Sequence, residues 1–187
     1  MLGMFGFLQM LRGVGRLAAA ASLLLILAGV GAAEAFDYDR YQVADLDALA
    51  SHKPPLGLGA DIYSAQNVRI EVTLVSQATS CPTKFVKWAM RKSGMAKQAV
   101  ESTPITHCVK VNSAKGRLYS LFIQDVLTDS LAKEVPQGAT LTLYGSLVYF
   151  AQRGPGIVVN EFSARPTTTP QPHSGVDFSA ATATKKK

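Results

Sequence analysis

Residues 117–150 read RLYSLFIQDVLTDSLAKEVPQGATLTLYGSLVYF, and the apolar period changes twice along them. RLYSLFIQDV (117–126) alternates as a half-buried strand does. TDSLAKEVPQG (128–138) switches to helical spacing, with Leu131 and Val135 one turn apart, Thr128 placed to cap, and Pro136 and Gly138 as stops. ATLTLYGSLVYF (139–150) returns to alternation, with Gly145 at an expected bend or bulge. A strand, a short helix and a strand in immediate succession restrict the folds available to the chain.

Upstream, VRIEVTLVSQ (68–77) puts Val68, Ile70, Val72 and Leu74 on one face and Arg69, Glu71 and Thr73 on the other. CVKVN (108–112) is a shorter strand with Val109 and Val111 inward, and Lys115-Gly116 turns it into the next. Downstream, Arg153-Gly154-Pro155-Gly156 is expected to turn the chain into a fifth strand, IVVNEFSA (157–164). The predicted order is strand, insertion, strand, strand, short helix, strand, strand.

That order resembles the OB-fold, a small, partly open Greek-key barrel of five strands with a helix between the third and fourth. The resemblance rests on VRIEVTLVSQ, on RLYSLFIQDV running into TDSLAKEV, and on QGATLTLYGSLVYF…GIVVNEF, which is similar to a G-x-x-V-x-V-x-G-x-V rhythm. It covers residues 68–164 and implies a mostly β, five-stranded OB-fold-like barrel with a long insertion after strand one. A five-stranded α+β sheet of another topology remains open.

The ends read differently. MLGMFGFLQMLRGVGR carries Arg12 and Arg16 without an acid, LAAAASLLLILAGVGAA is uncharged, and Ala33-Glu34-Ala35 supplies a small-x-small site. Residues 1–35 are expected to be a signal peptide cut before Phe36, which points to an exported bacterial protein, periplasmic or secreted. An uncleaved membrane anchor is the other reading of that apolar run. The mature chain would have 152 residues, one domain's worth, and no later segment long and apolar enough to span a bilayer. Residues 36–67 form a lead-in with a short helix around VADLDALASH, broken by Pro54-Pro55, Gly57 and Gly59. Residues 165–187, rich in Thr, Pro, Ser and Ala, have too little apolar surface to offset their ordering entropy and are expected to be a disordered tail. Three of the chain's six net positive charges are the terminal lysines 185–187, so the basic balance is no argument for nucleic acid.

The chain has two cysteines, Cys81 and Cys108, and in an exported protein an even count reads as a disulfide. It would close 26 intervening residues, worth roughly 3–4 kcal/mol in a chain-entropy account. Only His107 stands near enough to join a metal site, and there is no C-x-x-C pair, so no metal is expected. Between the cysteines, Lys84, Lys87, Arg91, Lys92 and Lys97 precede the first acid, Glu101, while Phe85, Trp88 and Ala89 share a helical face. Either the basic face meets phosphates, an anionic polymer or acidic headgroups, or the helix is solvated and its aromatic face packs on the strands. In an OB-fold the loops after strands one and four flank the ligand. The expected binding residues are therefore Lys84, Lys87, Trp88, Arg91 and Arg153. Tyr119, Tyr144 and Tyr149 would add a stacking surface if exposed.

No phosphate loop, nucleophile elbow or cofactor motif appears, so neither a catalytic site nor a cofactor is expected. Two functions follow as expectations. One is a non-enzymatic binding module for an anionic or oligomeric ligand. The other is a cell-envelope structural or assembly protein that binds a protein partner.

Overall fold

A computed structural model of the chain describes residues 36–55, 59–164 and Phe178, within a compact unit that starts at Phe36. The expected signal peptide and all of the expected tail except Phe178 lie outside the described residues.

Among the described residues six strands, β1 (Gln42–Val43), β2 (Ala60–Ser80), β3 (His107–Asn112), β4 (Leu118–Ile123), β5 (Thr140–Ala151) and β6 (Gly154–Ser163), form one sheet. Its order is β1-β2-β3-β4-β6-β5, and β2 also pairs with β5, so β2 to β6 make a ring. β2 serves three neighbours: residues from Ala60 to Thr73 run antiparallel to β5, those from Thr73 to Ser80 run antiparallel to β3, and Val68 and Arg69 pair in parallel with β1. Register shifts between Ile62 and Gln66 and again between Leu74 and Thr79 bend it from one partner to the other. The helices are α1 (Leu46–Ser51), α2 (Lys84–Lys92), α3 (Lys97–Ser102) and α4 (Thr128–Glu134).

The strand phases follow the alternation. Val68, Ile70, Val72 and Leu74 of β2, Val109 and Val111 of β3, and Leu121 and Ile123 of β4 are buried in one core. Leu131 in the middle of α4 and Val135 just beyond its end join it, as does Leu46 of α1. A second core lies on the other strand face, where Val148 and Val158 meet Val86, Ala89 and Met90 of α2, Val100 of α3, and Phe178.

Several expectations need correction. β2 starts at Ala60, so eight residues of the expected lead-in are strand, and β1 adds a strand to the predicted five. β4 ends at Ile123 rather than Val126 because Asp125–Leu127 wind into a 3-10 turn. Thr128 does not cap α4: it is the first helical residue, and its hydroxyl donates to the Asp125 carbonyl at 2.8 Å. The β5–β6 turn is Gln152-Arg153, and Gly154 to Gly156 already belong to the strand.

The expected irregularity at Gly145 is present. Tyr144 pairs with Glu161 but Gly145 pairs with Val159, which leaves Asn160 as the extra residue of a bulge. Its side chain is buried and satisfied: Nδ2 donates to Tyr41 Oη at 3.1 Å and Ser146 Oγ at 2.9 Å, and Oδ1 accepts from Gln124 Nε2 at 3.1 Å. A Cβ at Gly145 would stand 2.7 Å from Ile157 Cγ2 and 2.8 Å from the Val158 carbonyl oxygen.

Gly145→Ala should therefore lower the urea midpoint by an overpacking cost of roughly 1–3 kcal/mol. Phe178→Ala should cost about 3–5 kcal/mol in the same assay, the usual loss for a large ring removed from a core. A neutral result at Phe178 would mean that the second core is complete without it.

Candidate functional site

β4 and β6 close the ring in parallel, but pair only at Phe122–Val158 and Ile123–Val159. Continued in register, Tyr119 would face Pro155, which has no N–H to give to a ladder. The two strands are not paired there, and a cleft of about 840 Å³ is lined by residues of both. Tyr119 and Ser120 line one side and Gly154 and Pro155 the other.

The insertion supplies the next wall. Cys81 and Cys108 form the expected disulfide, with Cα atoms 5.8 Å apart, which ties the end of β2 to the start of β3. Both cysteines line the cleft. The Cys81 amide also donates to the Thr106 carbonyl at 3.0 Å, so both ends of the insertion are fixed to one point. α2 then lies across the sheet on Val86, Ala89 and Met90, all fully buried. The face read as aromatic divides: Ala89 packs down, whereas Phe85 and Trp88 are 46% and 42% exposed and both line the cleft. Their rings are 5.6 Å apart, and Phe85 stands edge-on to Tyr149 at 5.0 Å. Burial pushes the Tyr149 hydroxyl up to about 12, so it stays neutral and presents an aromatic surface.

The β5–β6 hairpin supplies the remaining wall through Gln152 and Arg153. Lys53 Nζ donates to the Gln152 carbonyl at 3.0 Å and Gln152 Nε2 donates to the Pro54 carbonyl at 3.3 Å, which anchors the hairpin to the segment before β2. Among the described lining residues Arg153 carries the one side-chain charge, and no salt bridge to it is found among the described residues.

Of the five expected binding residues, the structure brings Trp88 and Arg153 to this cleft. Lys84, Lys87 and Arg91 are not among its lining residues, and Arg91 and Lys97 both lie near Glu101, at 3.8 and 3.9 Å. The three tyrosines divide: Tyr119 and Tyr149 line the cleft, whereas Tyr144 is buried against Phe36, Tyr38 and Tyr41. Sequence reading missed Phe122, which lines the cleft from the strand phase opposite Leu121 and Ile123, and gave Phe85 only a packing role. The outward position of an aromatic in an alternating strand was the available signal.

Two polar clusters brace the site. Asp47 of α1 is buried, accepting from the Lys115 amide and from Tyr119 Oη, both at 3.2 Å, so the β3–β4 turn and one cleft tyrosine share an anchor. At the end of the insertion, Asp125 accepts from the Thr106 amide at 2.8 Å and the Thr106 hydroxyl at 2.7 Å. His107 Nδ1 lies 2.9 Å from the same carboxylate, which gives Asp125 a structural role. Among the described residues no group of three or more His, Cys, Asp or Glu is placed to hold a metal ion, and no helix is long and apolar enough to cross a membrane.

No protein-family model matches this sequence, and no curated protein matches it.

Desolvation raises the Asp125 carboxyl, but hydrogen bonds from His107 and Thr106 outweigh it and hold the group below the usual carboxylate range. A carboxyl depressed in this way stabilises the fold above its unfolded value of about 3.9 and loses that contribution as pH falls through the lower folded value. Asp125→Asn should therefore lower the urea midpoint at neutral pH, and its curve should converge on the wild-type curve in acid. Parallel curves would remove the carboxylate's role.

Proposed function

We propose that the chain is a non-enzymatic binding module that works outside the cytoplasm, with an anionic or oligomeric ligand seated in the cleft lined by β4 and β6. The ring order β2-β3-β4-β6-β5, with α4 between β4 and β5, supports an OB-like reading of its five strands. In that reading the insertion and the β5–β6 hairpin are the two loops that flank a ligand, and the cleft lies between them. The disulfide supports an oxidising compartment, in keeping with the expected signal peptide.

The observation that carries the proposal is the division of labour on α2. Val86, Ala89 and Met90 supply its packing face, so the fold does not need aromatics at 85 and 88. Phe85 and Trp88 are nonetheless held half out of the core, around a cavity that is also lined by Arg153, whose guanidinium has no salt bridge among the described residues. Apolar area kept exposed beside a few convergent polar groups is the usual form of a ligand site.

A thermal-shift screen of anionic and neutral small molecules, oligosaccharides and oligonucleotides tests the reading. A compound at 100 times its Kd should stabilise the fold by about 2.7 kcal/mol through mass action. Trp88→Ala or Arg153→Glu should abolish the shift, and the triple change of Lys84, Lys87 and Arg91 to Glu should leave most of it. A ligand whose shift survives both cleft variants and is lost in the triple variant would move the site to the basic face of α2.

A further inference from the structure

We infer that the cleft selects a small molecule with a flat ring body and a single anionic group, the ring lying on Trp88 and Phe85 and the anion on Arg153. The inference rests on the reading that this cleft is the binding surface, and it specifies the chemistry of the ligand.

Size comes first. A volume of about 840 Å³ lies within the span of small-molecule sites. The walls then fix the body. Phe85, Trp88, Phe122, Tyr119 and Tyr149 all present rings to the cleft, and Phe85 is held by Trp88 on one side and Tyr149 on the other. Rings already packed on one another have few rotamers left to lose on stacking. Polar side chains are few: besides the tyrosine hydroxyls and the Trp88 indole N–H, Ser120 and Gln152 are the neutral polar groups among the described lining residues. A heavily hydroxylated sugar chain would leave most of its hydroxyls unpaired against those rings, at a desolvation cost for each.

Charge decides the rest. One guanidinium, with no salt bridge among the described residues, faces the cavity, and the lysines of α2 are not among the lining residues. A polyanion needs a row of cations to replace its counterions. A single carboxylate or similar oxyanion needs one planar fork, which arginine supplies. Arg153 stands at the hairpin turn, so a ring lying on the α2 aromatics would direct its anionic substituent toward the hairpin wall.

Trp88 is the chain's one tryptophan, so its indole N–H gives a single resonance that reports the cleft directly. The intact chain is titrated separately with naphthalene carboxylate, its neutral carboxamide, laurate, tetragalacturonate and hexathymidylate. The carboxylate should shift the resonance and saturate at one equivalent, with the carboxamide at least about tenfold weaker, the effect of losing one charge-assisted hydrogen bond. Arg153→Gln should reduce the carboxylate to the carboxamide's affinity without changing the carboxamide. Phe85→Leu, which keeps apolar bulk on the helix, should weaken both ring compounds together. Equal binding of carboxylate and carboxamide, or laurate equal to the ring acid, overturns the inference and leaves the cleft as the binding surface. So does a shift produced only by the sugar acid or the oligonucleotide. If no compound moves the Trp88 resonance, the inference and the cleft reading fall together.

Discussion

The cleft depends on how briefly β4 and β6 stay in register. Two residue pairs close the ring, Phe122–Val158 and Ile123–Val159; one position further the buried Leu121 and Ile157 no longer pair, and beyond them β6 continues as Gly156, Pro155 and Gly154. Pro155 cannot donate, and Gly156 has the Tyr149 ring so close that a Cβ there would collide with it. The ring is therefore closed enough to hold a continuous core and open enough at one end to carry a site.

The insertion turns that opening into a walled cavity. Its disulfide sits at the edge of the cleft and fixes both ends of the segment, so α2 has little freedom to swing away from the sheet. α2 then separates two apolar faces that a simple amphipathic reading merges. One, through Val86, Ala89 and Met90, belongs to the second core with Phe178; the other, through Phe85 and Trp88, borders the cleft. Tyr149 and Phe122 touch both the second core and the cavity, so packing behind the wall sets the position of the rings in front of it.

Much of the fold was legible because the strands alternate cleanly. Val68 to Leu74, Val109 and Val111, and Leu131 with Val135 are buried where the apolar period places them. The start of β2 was not legible: Ala60 to Asn67 carries polar residues at both phases, and tertiary pairing with β5 overrides that local pattern. The direction of α2 was ambiguous for a different reason. Its apolar residues cover more than one stripe, and period alone does not say which stripe meets the sheet. Trp88 and Arg153 could be paired from loop position, but Phe122 and Ile62 enter the cleft through registers that no local pattern encodes. The basic residues of α2 drew attention as a cluster in sequence, yet Arg91 lies near Glu101, Lys84 and Lys92 are exposed, and Lys87 is half-buried.

The central claim is that α2 turns its aromatic edge to the cleft and its aliphatic edge to the sheet, and a nuclear Overhauser spectrum of the oxidised protein tests it most directly. The account predicts cross-peaks between the Phe85 and Tyr149 rings, whose centres are 5.0 Å apart, together with cross-peaks from Val86 and Met90 to the methyls of Val148 and Val158. Cross-peaks from Trp88 to those same valine methyls, with Val86 and Met90 showing none, would contradict it.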